Sequence, residues 1–378
     1  MHFIPYGHQS IDDVDISSVV EVLQSDWLTT GPKVPEFEDA LSHYVRSHYT
    51  VAVNSGTSAL DIAIHSLNLP KGSEVITTPF TFAATSNAIL YNDLVPVFAD
   101  IKKETRNIDP EDIRKKISPK TRAVIYVDYA GHPCEIREIK EIAEENNLYL
   151  IEDACHALGA SYAGNKIGTF ADMTAFSFHP VKPITTGEGG AVTTDNPEFA
   201  ARLKLSRNHG IDRTIKDMFG EGSEWAYDIV DLGRNYRMTD IQAALGISQL
   251  KKIETFIKRR NDFTKIYEEL INDLKWLETP QCHGDIVHGW HLYTVLSNGA
   301  KRNTLYRYLQ QNNVGANVHY IPIYRFAYYC KHFKADPTMF PVTEDVFDHI
   351  ITLPLYPAMT EEEIVYISDI LRRAGSVL

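Results

Sequence analysis

The sequence predicts an α/β protein: a mostly parallel sheet with helices on both faces, followed by a smaller α/β unit. Short apolar or β-branched runs alternate with helix-length runs from about residue 15 to residue 250. Strands spaced by helices cross over in a common direction, and the helices bury both faces of the sheet. After a long helical run over 244–274 the texture changes to a β-α-β-α pattern. That change divides the chain into an N-terminal arm and large domain, residues 1–250, and a small C-terminal α/β domain, residues 251–378.

The elements follow in order. "DISSVVEVLQSD" and "VPEFEDALSHYV" carry apolar residues at helical spacing. "YTVAVNSG" is an apolar strand that runs into the helix "TSALDIAIHSLNL", whose first turn is polar. "EVITTPFTF" and "VPVFADI" are β-rich and flank the helical "AATSNAILYN". "AVIYVDYAG" reads as a strand, "REIKEIAEENN" as a helix, and "LYLIEDACHA" as a strand that ends on acidic residues. A short strand at Ala175–Phe178 and a β-prone return at Ala191–Thr194 bracket a loop rich in Pro, Thr and Gly. "HLYTVLSNG", "TLYRYLQQNNVGANVHY" and "EDVFDHIITLPLYPAMTEEEIVYISDILRRA" make up the C-terminal pattern.

Bulk properties narrow the class. A formal charge of −13 lacks the basic stripe of a nucleic-acid binder, so no nucleic-acid partner is expected. No apolar run approaches the roughly 18 residues of a membrane span. The four cysteines, Cys134, Cys155, Cys282 and Cys330, are scattered without finger spacing, which suits a reducing compartment. The opening "MHFIPYGHQSIDDVD" has neither a basic nor an apolar leader region, so a cytoplasmic protein is expected.

Three features carry chemistry. Lys182 lies between Pro180 and Pro183, which fix φ on both sides of the amine, and Gly189–Gly190 permit a tight return. Asp153 ends a hydrophobic strand, where a parallel sheet opens onto its ligand crevice. In "NSGTSAL", Gly56 allows close backbone approach while Thr57 and Ser58 offer hydroxyls beside free N–H groups, the geometry of a phosphate cradle. Ser177, five residues before Lys182, adds another hydroxyl. Each has a plainer reading: a solvated lysine, a helix N-cap, a capped helix without ligand. Together they are an amine, an acid and a phosphate site, the parts list of a pyridoxal-phosphate enzyme.

"SGTSAL", "EDACHALGA", "SFHPVKPITTGEGG" and "LGRNYRMTDIQAALGISQL" resemble the motifs of the DegT/DnrJ/EryC-type sugar-nucleotide aminotransferases, of the fold-type-I pyridoxal-phosphate superfamily. The resemblance runs from Tyr6 to Tyr324 and implies a mostly parallel seven-stranded sheet and pyridoxal 5′-phosphate as cofactor. It implies that Lys182 is the Schiff-base lysine, that Asp153 holds the pyridinium nitrogen, and that Phe82 stacks on the ring. Gly56, Thr57, Ser58 and Ser177 would bind phosphate, with Asn235 reaching in from the second subunit of a homodimer. His156 stands where many relatives carry Gln, near the ring hydroxyl.

For substrate, Tyr6, Trp27, His319, Tyr320 and Tyr324 are candidates to line a sugar pocket, or else aromatics packed at a domain seam. His179 joins the pocket candidates, and Arg237 suits a diphosphate or a helix cap. "IYVDYAGHPCEI", "VKPITT" and "NVHYIPIY" look most like the pseudaminic-acid branch of the family. That branch aminates C4 of a UDP-linked 2-acetamido-2,6-dideoxy-4-keto-L-sugar with L-glutamate as donor. Perosamine- and bacillosamine-type 4-aminotransferases are close competitors, and a regulator on the same scaffold is a further alternative. Related 3-dehydrases carry His at the lysine position, unlike Lys182. His283, His288 and His291 fall close together without a zinc spacing, so no metal is expected. "GASYAGNK" misses the P-loop at Asn165, and no GxGxxG is present to suggest a nicotinamide enzyme.

Overall fold

The apolar runs become the seven strands of one central sheet: β1 (Tyr49–Val53), β2 (Glu74–Thr77), β3 (Val95–Phe98), β4 (Thr121–Val127), β5 (Tyr149–Asp153), β6 (Met173–Ser177) and β7 (Gly190–Thr194). The structure is a computed structural model that describes residues 2–214, 223, 225–282, 284–298, 302–333 and 335–375. Across the sheet the order is β1-β7-β6-β5-β4-β2-β3. All neighbours are parallel except β7, which runs antiparallel to both β1 and β6. The loop over 178–189 contains no helix and so cannot carry a crossover; the chain returns beside β6 in the opposite direction.

Alternate residues of each strand face opposite layers. Ala52, Ile76, Val124 and Leu150 pack with the helices Lys33–Val45 and Ile136–Asn146, whereas Val51, Val53, Val75, Ile125 and Ile151 pack with Gly56–Ser66 and Ala83–Tyr91. Both faces are therefore buried, which is why these strands read as continuous apolar runs.

The predicted long helix over 244–274 is two helices, Asp240–Leu250 and Ile253–Ile271. The break at 251–252 turns Lys252 toward Asp12 and the buried Asp15 at the start of the first helix, Asp13–Leu23. Gln249 donates to the same Asp15 carboxylate. These tertiary contacts divide a run that local propensity alone makes continuous.

Beyond this point a second, antiparallel sheet of Leu277–Glu278, Tyr293–Ser297 and Ile350–Leu353 packs against Ile253–Ile271, Arg302–Gln311 and Glu361–Ala374. Two further short helices, Ala327–His332 and Pro341–His349, interrupt the predicted β-α-β-α order. The N-terminal arm crosses to this layer: Ile4 is fully buried in its core and bridges Val314.

Candidate active site

The carboxyl ends of β4, β5 and β6 lie side by side, with Val127 opposite Asp153 and Asp153 opposite Ala175. A cleft of about 660 Å3 opens there, between the start of helix Gly56–Ser66 and the segment 317–321. This is where a parallel sheet offers its ligand crevice.

Lys182 stands on the β6–β7 loop, and its neighbours hold that loop. Phe178 N–H donates to Gly189 O (2.8 Å) and Phe178 O accepts from Thr186 N–H (3.0 Å) and the Thr185 hydroxyl (3.1 Å). The Thr186 hydroxyl donates to Glu188 O (2.6 Å), and Lys182 N–H donates to His179 O (2.9 Å). The paired threonines thus tie the loop to itself around the lysine. Burial pushes the Lys182 amine below the ordinary lysine range, with Cys155 and Asp153 acting in the opposite sense.

Asp153 is buried, and no α-helix starts after it, which removes the helix N-cap reading. Its Oδ2 accepts from the Thr85 hydroxyl (2.7 Å) and its Oδ1 from Cys155 N–H (3.2 Å). The carboxylate is thereby fixed at the floor of the cleft.

Ser55, not Ser58, caps the cradle helix: its Oγ accepts from Ser58 N–H (3.1 Å). The Ser58 hydroxyl donates to Asn54 Oδ1 (2.7 Å) and stays outside the cleft. Ser55, Gly56, Thr57 and Ser177 line it instead. The Gly56 and Thr57 amides have no partner among the described residues, as expected for the first turn of a helix. A Cβ on Gly56 would lie 2.6 Å from the Ser177 Cβ, so only glycine permits this closeness.

Phe82, 60% exposed, borders the opening with its ring 6.2 Å from that of Tyr320. His156 Nδ1 accepts from Ala130 N–H (3.2 Å), which leaves the ring proton on Nε2, 3.1 Å from the Tyr320 hydroxyl oxygen. Burial, then Lys182 and His319, hold His156 well below the usual histidine range. His319 is pushed down to about 3 by burial and by Lys182, and is held between Thr352 (2.8 Å) and Asn317 (3.3 Å). Both imidazoles are neutral at ordinary pH. Tyr6, its ring 5.2 Å from that of His319, and the exposed His179 also line the cleft.

Four further candidates lie elsewhere. Tyr324 is buried, donates to Glu344 (2.6 Å) and stacks on Phe340, a packing residue and not a pocket wall. Trp27 is exposed on the surface outside the cleft. Arg237 donates to Asn208 Oδ1 (2.7 Å), and the exposed Asn235 bridges Asn208 through its backbone; neither reaches the cleft of its own chain.

Thr85, Cys155, Asn317 and His291 enter the site without having been singled out for it. His291 stood out only in the histidine-rich stretch read for metal. Among the described residues no group of His, Cys, Asp or Glu is arranged to hold a metal ion. His288 accepts from Trp290 N–H and stacks on the Trp290 ring, while His291 faces Lys182; His283 lies outside the described residues.

A profile of the DegT/DnrJ/EryC1/StrS aminotransferase family matches residues 9–372. The chain belongs to this family. Like other DegT-type enzymes it is a sugar aminotransferase, and its cofactor is pyridoxal 5′-phosphate. An uncharacterised protein of Methanocaldococcus jannaschii is 44% identical over 99% of this chain and 98% of its own length. A UDP-4-amino-4,6-dideoxy-N-acetyl-beta-L-altrosamine transaminase of Campylobacter jejuni is 36% identical over 97% of this chain and 96% of its own. The Helicobacter pylori PseC structure, an aminotransferase of pseudoaminic acid biosynthesis, superposes with a TM-score of 0.94 at 32% identity, covering both chains fully. The DegT-type cleft suits the cofactor on its own geometry: a free amine, a fixed carboxylate, and a first-turn amide cradle that a single added Cβ would obstruct. Among the described residues no helix is long and apolar enough to cross a membrane.

Proposed function

We propose that this enzyme moves an amino group from L-glutamate to C4 of a UDP-linked 2-acetamido-2,6-dideoxy-4-keto-L-sugar, in the cytoplasm and as a homodimer. The observation that carries the sugar assignment is the 36% identity, across 97% of the chain, to the altrosamine transaminase. The homodimer reading draws on Asn235 being exposed and away from its own cleft, and on the exposed apolar run of Trp225, Tyr227, Ile229, Val230 and Leu232 nearby. Exposed apolar patches of this kind mark interfaces. Asn235 of the partner subunit would complete the phosphate cradle.

Bound in the cleft, pyridoxal phosphate supplies an aldehyde that takes the donor's nitrogen and a ring that withdraws electrons from the donor's Cα. The Gly56 and Thr57 amides and the Ser55 and Ser177 hydroxyls would hold its phosphate. Asp153, oriented by Thr85 and Cys155, would keep the ring nitrogen protonated. Lys182 Nζ, its basicity lowered by burial, would take the Cα proton as a neutral amine and give it back on the cofactor side. His156 and His319, kept neutral, do not compete for that proton. Hydrolysis by water would then release the keto acid, and the 4-keto sugar would receive the nitrogen by the same steps reversed, with water lost as it condenses.

The test is product analysis. Purified enzyme with L-glutamate and a panel of UDP-, GDP- and dTDP-4-keto sugars should aminate the UDP-2-acetamido sugar at C4, identified by mass and NMR. Preferential amination of a perosamine- or bacillosamine-type substrate overturns the assignment.

A further inference from the structure

His291 is a buried imidazole whose side chain has one hydrogen-bond partner among the described residues, Lys182. Its Nε2 lies 3.5 Å from Lys182 Nζ, while its Nδ1 is buried and has no hydrogen-bond partner among the described residues. The ring is aimed by backbone and packing. His291 N–H donates to Ala130 O (2.9 Å), and the guanidinium of the buried Arg260 donates to the carbonyls of Trp290 (3.0 Å), His291 itself (3.5 Å) and Leu355 (2.9 Å). The His156 ring sits 4.4 Å away, centroid to centroid, and closes the other face.

An imidazole that only filled this space would carry a cost. A buried polar atom without a partner is unfavourable, and an apolar side chain of similar size would avoid that. Among the described residues, the polar contact that offsets this cost is the one with Lys182. We infer that His291 is a positioning residue for the reaction: its Nε2 accepts an N–H from Lys182 and holds the nitrogen over the cleft while that nitrogen gives and takes protons. The ring proton then sits on Nδ1. No proton is stored on the ring, because burial, Lys182, His156, Arg260 and His319 together keep it neutral.

The inference rests on Lys182 being the lysine bonded to the cofactor, and it is independent of which sugar is aminated. Lys182→Ala tests that premise separately, since it alone would remove the visible absorbance of the bound cofactor. The experiment compares His291→Leu with His291→Gln in holoenzyme; Gln restores an acceptor near the Nε2 position at similar volume. The first readout needs no substrate: the pH titration of the visible absorbance of the Lys182-bound cofactor. An acceptor beside the nitrogen favours its protonated form, so in His291→Leu the midpoint should fall by about half to one pH unit, with Gln close to wild type. The charged and titratable groups around the pair, namely Asp153, Cys155, His156, His179 and His319 beside Lys182 and Arg260 beside His291, are the same in all three proteins. The second readout is the single-turnover half-reaction with the amino donor. Its rate should fall about tenfold to a hundredfold in the Leu variant, with donor KM little changed, and recover in Gln. An unshifted midpoint, or equal losses in both variants, overturns the inference.

Discussion

The Thr85 hydroxyl donates to Asp153 Oδ2 across 2.7 Å, from the first turn of one helix to the last residue of the strand β5. Thr85→Val keeps the shape and removes the donor. A hydrogen bond to a charged group contributes about 1.5–3 kcal/mol, so kcat/KM should fall roughly tenfold to a hundredfold. Thr85→Ser should keep most of the activity. Steady-state kinetics on both variants check this, and equal losses would show that Thr85 acts through packing alone.

Lys182→Ala should abolish both the visible absorbance of the bound cofactor and turnover. In the unaltered enzyme, initial rates at varied donor and sugar should give parallel double-reciprocal lines, because the two substrates use the site in turn. Intersecting lines would require both substrates in the cleft at once.

Gly56→Ala places a methyl group against the Ser177 side chain, 2.6 Å from its Cβ and 2.9 Å from its Oγ. The cradle must widen to admit it, and phosphate contacts lengthen. Cofactor affinity should fall by at least about tenfold, the equivalent of ~1.4 kcal/mol. Equilibrium dialysis measures this directly.

Acid should unfold this protein through its buried imidazoles. His319 falls from the ordinary 6.5 to about 3 on folding, so between those values the unfolded chain binds one more proton there. The stability due to the neutral ring is complete above 6.5 and is lost as pH falls, at about 1.4 kcal/mol per pH unit. Urea melts between pH 7 and 4.5 at fixed cofactor should show His319→Gln with the shallower slope. Parallel slopes would place the acid sensitivity elsewhere.

Subunit complementation tests the shared site. If Lys182 of one subunit works with Asn235 of the other, a heterodimer of Lys182→Ala and Asn235→Ala chains has one intact site and one doubly damaged site. Mixing the Lys182→Ala and Asn235→Ala homodimers under exchange conditions should raise activity above that of either alone, to about a quarter of wild type from intact sites under random exchange, in which half the dimers are mixed and each keeps one of two sites. No recovery despite verified exchange would put Asn235 outside the partner's cleft.

The parts that were legible in the sequence are those set by local pattern. Val51, Ala52 and Val53 alternate between two apolar layers, so a doubly covered strand is readable from residue type alone. Asp153 ends a strand, Gly56 starts a helix and Lys182 lies on the loop after β6, places where chain order itself points to a crevice. Ser55 and Ser58 are both hydroxyls at one helix start, and only backbone geometry decides that Ser55 caps the helix and lines the cleft while Ser58 turns to Asn54. Tyr324 and Trp27 show the limit of residue type, since an aromatic side chain suits a stacked core or a surface as well as a sugar pocket. Thr85 and His291 reach the site through tertiary closure over long stretches of chain, and nothing local marks them. The same holds for the break at Lys251–Lys252, which is drawn by Asp12 and Asp15 near the other end of the sequence.

Ile4 bridges Val314, and the Tyr6 carbonyl accepts from Leu355 N–H (3.1 Å) while its side chain walls the cleft. During synthesis the arm emerges early, yet both of its partners, Val314 and Leu355, are made late. It must wait unpaired while the central sheet forms, and such distant pairings close late because their loop entropy is large. The cleft wall at Tyr6 is therefore finished only when the chain is almost complete, so a central sheet that has already formed still lacks this wall.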